Sequence, residues 1–567
     1  MWVEKIDITL EEINQIFQEN GYHSVITDNK IELSLDIREE EVKVEVIIPE
    51  DYPFSFLQVY LKEKSSLSFE VAHMIVGNRL CLFEEASDRH DYKNYSQIAV
   101  ETLQRAQVLL ENSKEKGNLS EYPYEFLDLW GNNQPTKIYS MLEDYNSPTL
   151  LDSHFFETRN QDICMVVKSP HVSVKSIVNL SDNLSLVTKK YCEVAAYLPV
   201  EETTLGKPIE TIQDLYQLLK YEACFPFFLN FLRTHHSPSK FNLIILGIKN
   251  EELPVKSLVA LTIPSMVFPK GRVKKEKAMR GIITFNRGKR VTRLSVEDLS
   301  HVRVLTRGGE GIPGSDAKTA YVVGCGSLGS FLSKSLSDTG DFSKLILHDN
   351  QSLKSENIGR HLCGVDNMGY PKSLAVASRI NANYPSIKID TYTHSFYREL
   401  LGKDENLTKE EYNVLVIATG DENIEEQIIQ FLESGKIKRP TIIAWVEPFL
   451  VAGHALILND RIDEKTKDYI FDSAGNIKIG ITSNPNQYSR AEAGCQSRFM
   501  PYSGFDMQLF TQNLVDYLIN RKGLEKNGNY HYCWIGKMKE ARHNEMDILP
   551  KWRHQDDRSV SIRRIDE

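Results

Sequence analysis

Thr319-Ala320-Tyr321-Val322-Val323-Gly324-Cys325-Gly326-Ser327-Leu328-Gly329 is the stretch on which the fold turns. An apolar, β-branched run leads into G-x-G-x-x-G, and a helical pattern begins at Leu328. A strand, a glycine turn and a helix in that order make a phosphate-binding turn. The glycines let the backbone approach an anion closely, and the helix N-terminus favours negative charge. Asp349 ends the next apolar run, KLILHD, at the separation where an acid can hold ribose hydroxyls. The glycine pattern alone is shared with nicotinamide-dependent oxidoreductases, and a plain strand–helix turn also uses glycine.

The downstream residues narrow the choice. Strand-like runs (KLILHD, YNVLVIATG, PTIIAWV) alternate with helical patterns at 369–383 and 422–435. Such alternation predicts a parallel, doubly wound sheet. Between these runs lie SENIGRH (355–361), GYPK (369–372) and TGD (419–421). Arg360 and Lys372 supply cations suited to a triphosphate. Asp421, at the end of a strand, stands where a carboxylate can hold Mg²⁺. An oxidoreductase leaves all three unexplained.

The string GCGSLG, D, SENIGRH, GYPK, GD resembles the adenylation domain of ubiquitin-activating enzymes and their ThiF- and MoeB-like bacterial relatives. The resemblance implies ATP and Mg²⁺ as cofactors and activation of a C-terminal carboxylate as an acyl-adenylate. It implies that Gly324, Gly326 and Gly329 form the nucleotide turn and that Asp349 binds ribose. Asn357, Arg360 and Lys372 would bind phosphates, and Asp421 the metal. Relatives often carry a second acid two positions after the ribose aspartate; here that position is Gln351. The family also sends an arginine to the phosphates, for which Arg307 in LTRGGEG is the first candidate and Arg303 the second.

Eight cysteines occur and none forms a CxxC pair, which argues against a structural zinc site. Cys495 lies among small and polar neighbours (AGCQSR) after the sheet region and before a strong helix at 504–520. It resembles the thioester-forming cysteine of the same family, and Arg498 would lower its pKa. Cys325 and Cys533 read as packing residues, and Cys363 follows His361 too closely behind the phosphate motif to be the first candidate.

The N-terminal segment starts with a helical pattern (Leu10, Ile13, Ile16, Phe17). The strands IELSLDI, VKVEVIIP and FLQVYLK follow, then an irregular stretch with Cys81, then helical spacing at Ala99, Leu103, Ala106 and Leu110. This α+β order, with EDYPFSFLQVYL and HMIVGNRLCLF, resembles a ubiquitin-conjugating domain. Cys81 would be its acceptor thiol, with Asn78 or His73 as candidates to stabilise an oxyanion.

The two resemblances together identify the chain with bacterial activating–conjugating fusion enzymes, those of CBASS anti-phage operons above all. That family implies a route from adenylate to Cys495, to Cys81, to a lysine-bearing acceptor. It implies as substrate a protein with a free C-terminus, a cGAS/DncV-like nucleotidyltransferase, and a homodimer. Activation of another ubiquitin-like protein, or ThiF/MoeB-type sulfur transfer, are the alternatives.

The 567 residues suggest about three or four domains. We divide the α/β and α+β multidomain chain into 1–117 (conjugating-like), 118–295 (mixed α/β middle domain), 296–545 (adenylation) and 546–567 (charged, peripheral tail). In the middle domain the pattern TIQDLYQLLKYEACFPFFLNFL predicts a helix broken at Pro226, and the basic run GRVKKEKAMRG (271–281) a solvated loop. A formal charge of −11 argues against a nucleic-acid partner. No run reaches the roughly 18 apolar residues of a membrane span, and the acidic N-terminus does not resemble a secretory signal. The expectation is a cytoplasmic enzyme.

Overall fold

The computed structural model describes residues 8–62, 67–69, 71, 73–75, 77–83, 91–115, 130, 137–142, 146–158, 163–168, 186–201, 209–249, 256–267, 275–305, 318–473, 475–491 and 498–566. Two short stretches apart, the chain divides into two compact units at Glu297/Asp298.

The first unit opens with the helix Leu10–Glu19. Thr9 and Glu12 form a reciprocal capping box at its start, at 3.2 and 2.8 Å. Strands β1 (Ser24–Thr27), β2 (Lys30–Ile37), β3 (Glu40–Ile47) and β4 (Gln58–Leu61) form an antiparallel meander. Alternation in β2 and β3 turns Ile31, Leu33, Leu35, Val42, Val44 and Val46 inward. The short β5 (Met74–Ile75) and β6 (Arg79–Leu80) complete the sheet in the order β1-β2-β3-β4-β6-β5. The helix Tyr95–Lys114 packs Ala99, Leu103, Ala106 and Leu110 into the same core.

The middle region holds a feature that local pattern did not disclose. Strands β7 (Lys137–Ser140), β8 (Thr149–Thr158), β9 (Ile163–Lys168), β10 (Leu186–Val200), β11 (Leu243–Ile248), β12 (Ser257–Thr262) and β13 (Thr292–Asp298) close into a barrel. β10 and β11 are parallel, so the chain needs a crossover, which the helices Ile212–Leu219 and Phe225–Thr234 provide. The break between them falls at residues 220–224. Pro226 sits in the first turn of the second helix, where its missing N–H costs nothing, so it does not break the helix. The basic run is corrected too: Lys275–Asn286 is a helix, and residues 271–274 of the run lie outside the described residues.

In the second unit an eight-stranded sheet runs β16-β15-β14-β17-β18-β19-β22-β23. β14 (Lys318–Val323), β15 (Phe342–His348), β16 (Lys388–Tyr392), β17 (Val414–Ile417) and β18 (Thr441–Val446) are parallel. β19 (Ala452–Leu458), β22 (Asn529–Ile535) and β23 (Val560–Arg564) add antiparallel strands. The helices Ser327–Asp338, Lys372–Asn383, Glu422–Glu433 and Gly504–Leu518 confirm the doubly wound expectation. The charged tail is not peripheral. β23 pairs with β22, and Ile548, Trp552 and Ile565 are buried.

From β14 the chain goes to β15 on one side and later to β17 on the other. The crevice outside the carboxyl ends of β14 and β17 is therefore the topological switch point where open α/β sheets bind ligands.

Candidate nucleotide site

The glycine turn follows β14 at that switch point, and each glycine answers to a different constraint. Gly324 has φ +88°, and a Cβ there would lie 2.6 Å from the Ala418 carbonyl oxygen, just beyond β17. A Cβ on Gly329 would lie 1.8 Å from the Gly324 carbonyl oxygen. These two glycines close the turn against its neighbours. A Cβ on Gly326 would meet nothing within 4 Å, and Gly326 caps the helix Ser327–Asp338 while facing a cavity of about 910 Å³. Its glycine keeps backbone open to a ligand.

Asp349 braces this turn. Its carboxylate accepts the Cys325 N–H and the Gln351 N–H, each at 2.7 Å. A carboxylate has about four acceptor sites, so it retains capacity for a ligand hydroxyl, although Asp349 is not among the residues lining the cavity. His361 donates from Nε2 to the Cys325 carbonyl at 2.8 Å, and burial pushes its pKa down. Cys325 and Cys363 are buried, and burial raises both thiols, Cys363 to about 12.

Asn357, Arg360 and Lys372 all line the cavity with Gly326. Asn357 accepts the Lys354 N–H at 3.1 Å in the 3₁₀ turn Ser355–Arg360. Arg360 donates to the Met500 carbonyl at 2.9 Å and lies over the Tyr502 ring at 4.9 Å. Lys372, only 7% exposed, donates to the Gln351 side-chain carbonyl at 2.8 Å. Both cations are thus held by neutral acceptors, which fix their position and leave their charge for an anion.

Asp421 stands differently from its expected place. It caps the helix Glu422–Glu433, accepting from Asn423 N–H at 3.1 Å and from Tyr397 hydroxyl at 2.8 Å. It does not line the cavity, whereas Thr419, Gly420, Glu422 and Glu425 do. Glu425 is 3% exposed, and its Oε1 has no hydrogen-bond partner among the described residues. Burial, and then the charges of Glu422 and Asp421, push its carboxyl up to about 7.

The opposite wall comes from β18 and the segments beyond it. Glu447 lines the cavity while almost wholly buried. It accepts from Ile481 N–H at 2.6 Å, Thr482 N–H at 2.9 Å, the Thr482 hydroxyl and His454 Nε2 at 2.8 Å. His454 Nδ1 is 3.0 Å from His531 Nε2, and His531 Nδ1 is 2.9 Å from the Tyr469 hydroxyl. Burial alone would push the pKa of His454 down. The Cys533 sulfur and Glu447 more than reverse this, to about 10. Glu447 is held below its ordinary value against burial by the same pairing and its other donors. His531 is pushed down to about 2 by burial and by the charge on His454. The chain is therefore Glu447⁻, His454⁺, neutral His531 and Tyr469. Sequence reading missed both Glu447 and Glu425. The signal for Glu447 was an acid directly after the parallel strand TIIAWV, and for Glu425 its place one helical turn after Asp421.

Arg307 and Cys495 lie outside the described residues. The strands β20 (Arg490–Ala491) and β21 (Arg498–Phe499), which flank Cys495 in sequence, pair antiparallel, and Phe499 and Met500 line the cavity. In the first unit Cys81 is exposed, and its N–H donates to the His73 carbonyl at 2.7 Å. Gly77 and Asn78 have φ +91° and +67° and form the turn between β5 and β6. A Gly-Asn pair suits a hairpin turn, so Asn78 has a structural reason to be there.

Residues 315–429 match the ThiF family model. Over 195 residues, 34% of this chain, the sequence is 28% identical to "ATP-dependent ubiquitin transferase-like protein Cap2" of Escherichia coli (strain TW11681), covering 29% of that relative. Over 190 residues, 33% of this chain, it is 26% identical to the protein of the same name from Pseudomonas aeruginosa (strain BWHPSA011 / Pa011), covering 32% of it. The matched stretch thus spans less than a third of either relative's length. A solved Escherichia coli MccB structure with ATP is 12% identical with a TM-score of 0.29, over 47% of this chain and 66% of that one. PaaA is 14% identical at the same TM-score and coverage. TM-scores of that size support no inference. Residues 315–429 of this chain form a ThiF-family domain.

Proposed function

We propose that the chain uses ATP to activate the C-terminal carboxylate of another protein and passes it, as a thioester, to an amine. The observation that carries this reading is the cavity at the switch point. There the open Gly326 turn, at a helix N-terminus, lines one cavity with Arg360 and Lys372, two cations whose hydrogen-bond acceptors among the described residues are neutral.

In this reading the substrate carboxylate attacks the α-phosphorus, the bond to pyrophosphate breaks, and an acyl-adenylate forms. Arg360, Lys372 and the helix N-terminus take up the phosphate charge, Asn357 positions it, and Asp349 keeps the turn in register while accepting a ribose hydroxyl. A divalent cation suits the acidic wall, where the Glu425 Oε1 is buried without a partner among the described residues. It would supply charge neutralisation at the phosphates, with Asp421 as one holding residue. The Cys495 thiolate then attacks the acyl carbon and AMP leaves. Cys81, exposed on the first unit, takes the acyl group by thioester exchange. A lysine amine finally attacks, losing a proton and releasing the thiol. The protein class is that of ubiquitin-activating and ubiquitin-transferring enzymes, as the Cap2 relatives' name supports. The finer reading follows the activating–conjugating fusion resemblance: a homodimer that attaches the tail of a cGAS/DncV-like nucleotidyltransferase in CBASS defence.

ATP–pyrophosphate exchange tests the first half. Wild type with its substrate should exchange, and Lys372→Ala should lose about 100-fold, the scale for one preorganised charged donor. Exchange that persists unchanged in Lys372→Ala and Arg360→Ala sinks the site. For the second half, a reductant-sensitive adduct should vanish in Cys495→Ala. In Cys81→Ala it should form but fail to reach lysine. Adducts indifferent to both substitutions would sink the relay.

A further inference from the structure

The cavity has two electrostatic ends. Gly326, Arg360 and Lys372 make one end suited to anions, and Glu422 and Glu425 line another part of the same wall. Asp421 and Glu425 are four residues apart across the start of one helix, and Glu422 and Glu425 three apart. Glu425 is therefore the member that neighbours each of the other two along the helix start. Their mutual influence is visible at Glu425, whose carboxyl is raised by the charges of Glu422 and Asp421 in addition to burial.

Glu425 is the informative member. A carboxylate that is 97% buried normally has its oxygens satisfied, because an unpaired buried oxygen is costly and more so when charged. Glu425 Oε1 has no hydrogen-bond partner among the described residues. Asp421 is already engaged by Tyr397 and Asn423 N–H, and Glu422 is exposed. Gln351, at the cationic end, offers an amide and spends its carbonyl on Lys372. Among the described residues, Glu425 thus brings an unmet acceptor to the cavity that Arg360 and Lys372 also line.

We infer that Glu425 is a carboxylate ligand for the divalent cation that accompanies the nucleotide, acting with Asp421 one turn before it. The inference rests on the adenylation reading of the cavity. Hard divalent cations bind through one or two carboxylates plus substrate phosphates, which is the pairing that this wall and the Arg360–Lys372 end present.

The test is Mn²⁺ binding, followed by the electron paramagnetic resonance of the free ion, on full-length protein with a non-hydrolysable ATP analogue. Nucleotide affinity is measured separately by equilibrium dialysis in EDTA. Glu425→Gln should weaken Mn²⁺ binding by about 10-fold or more and leave metal-free nucleotide binding within about twofold. The amide keeps the volume and removes a buried charge, so the melting temperature should hold or rise. Glu422→Gln, which removes an equal charge at an exposed neighbour, should change Mn²⁺ affinity by less than about threefold. Mn²⁺ bound as tightly by Glu425→Gln as by wild type overturns the inference alone. So does an equal loss in Glu422→Gln, which would make the effect one of field rather than ligation. Wild type that takes up no nucleotide either in EDTA or with Mn²⁺ overturns the adenylation reading, and the cation site with it.

Discussion

Gly329→Ala is expected to cost about 3–5 kcal/mol and to abolish nucleotide uptake, whereas Gly326→Ala should keep its stability and lose only the nucleotide. The added methyl at 329 would sit 1.8 Å from the Gly324 carbonyl oxygen, a backbone atom that cannot rotate away. Relief requires the helix Ser327–Asp338 to move off β14. Gly324 is held in turn, because φ +88° and the nearby Ala418 carbonyl fix it against β17. The strain therefore spreads into the parallel sheet, whose core includes Val322, Leu328, Leu332 and Val416. At 326 the same methyl meets no protein atom within 4 Å and projects from a residue lining the cavity. Urea denaturation of both variants, with nucleotide binding measured alongside, separates the outcomes. Gly326→Ala losing as much stability as Gly329→Ala would show that the turn is not built as described.

Glu447→Gln is expected to destabilise the second unit by about 3–5 kcal/mol, because it leaves a buried charge on His454 without its partner. His454 is fully buried and donates to Glu447 at 2.8 Å. The loss should also loosen residues 481–482, which Glu447 holds through two N–H donors and a hydroxyl. The pH dependence has a definite sign. The folded-state pKa of His454, about 10, lies above its ordinary value of 6.5. Its contribution is fully present below about pH 6.5 and is lost as pH rises toward 10. Glu447 is lowered, so its contribution is present above the ordinary carboxylate range and is lost as pH falls. Wild type should therefore be most favoured over Glu447→Gln between about pH 5 and 7, with the gap narrowing toward pH 10. Melting curves across that range check it, and a gap that widens with alkali would refute the charge state assigned to His454.

Much of the second unit was legible because its signals are local. A glycine turn is a steric requirement, and strand and helix periods are set by residues a few positions apart. The order of β14 to β18, the helices between them, and the meeting of Gly326, Asn357, Arg360 and Lys372 at one cavity all follow from such signals. The basic run at 275–281 was misread because charge on a helix face looks like charge in a loop when the apolar positions are few. The tail was misread because β23 is an edge strand whose partner lies 30 residues earlier, so its charges face outward while its backbone completes the sheet.

By itself the sequence determined the glycine turn, the cations downstream of it and the aspartate that braces it. Each is specified by a residue type that few other side chains can replace at that backbone position. Only the tertiary structure decided that the middle strands close into a barrel, because closure depends on pairing between strands as remote as β7 and β13. It also decided which acids matter at the cavity. Asp421, conspicuous in the chain, also caps its helix and is not part of the cavity lining, while Glu425 and Glu447, which line it, owe their importance to burial and to partners. For Glu447 these are Thr482 and His454, and for Glu425 the partner is absent among the described residues. Desolvation and hydrogen-bond satisfaction belong to the packed molecule, and no window of sequence contains them.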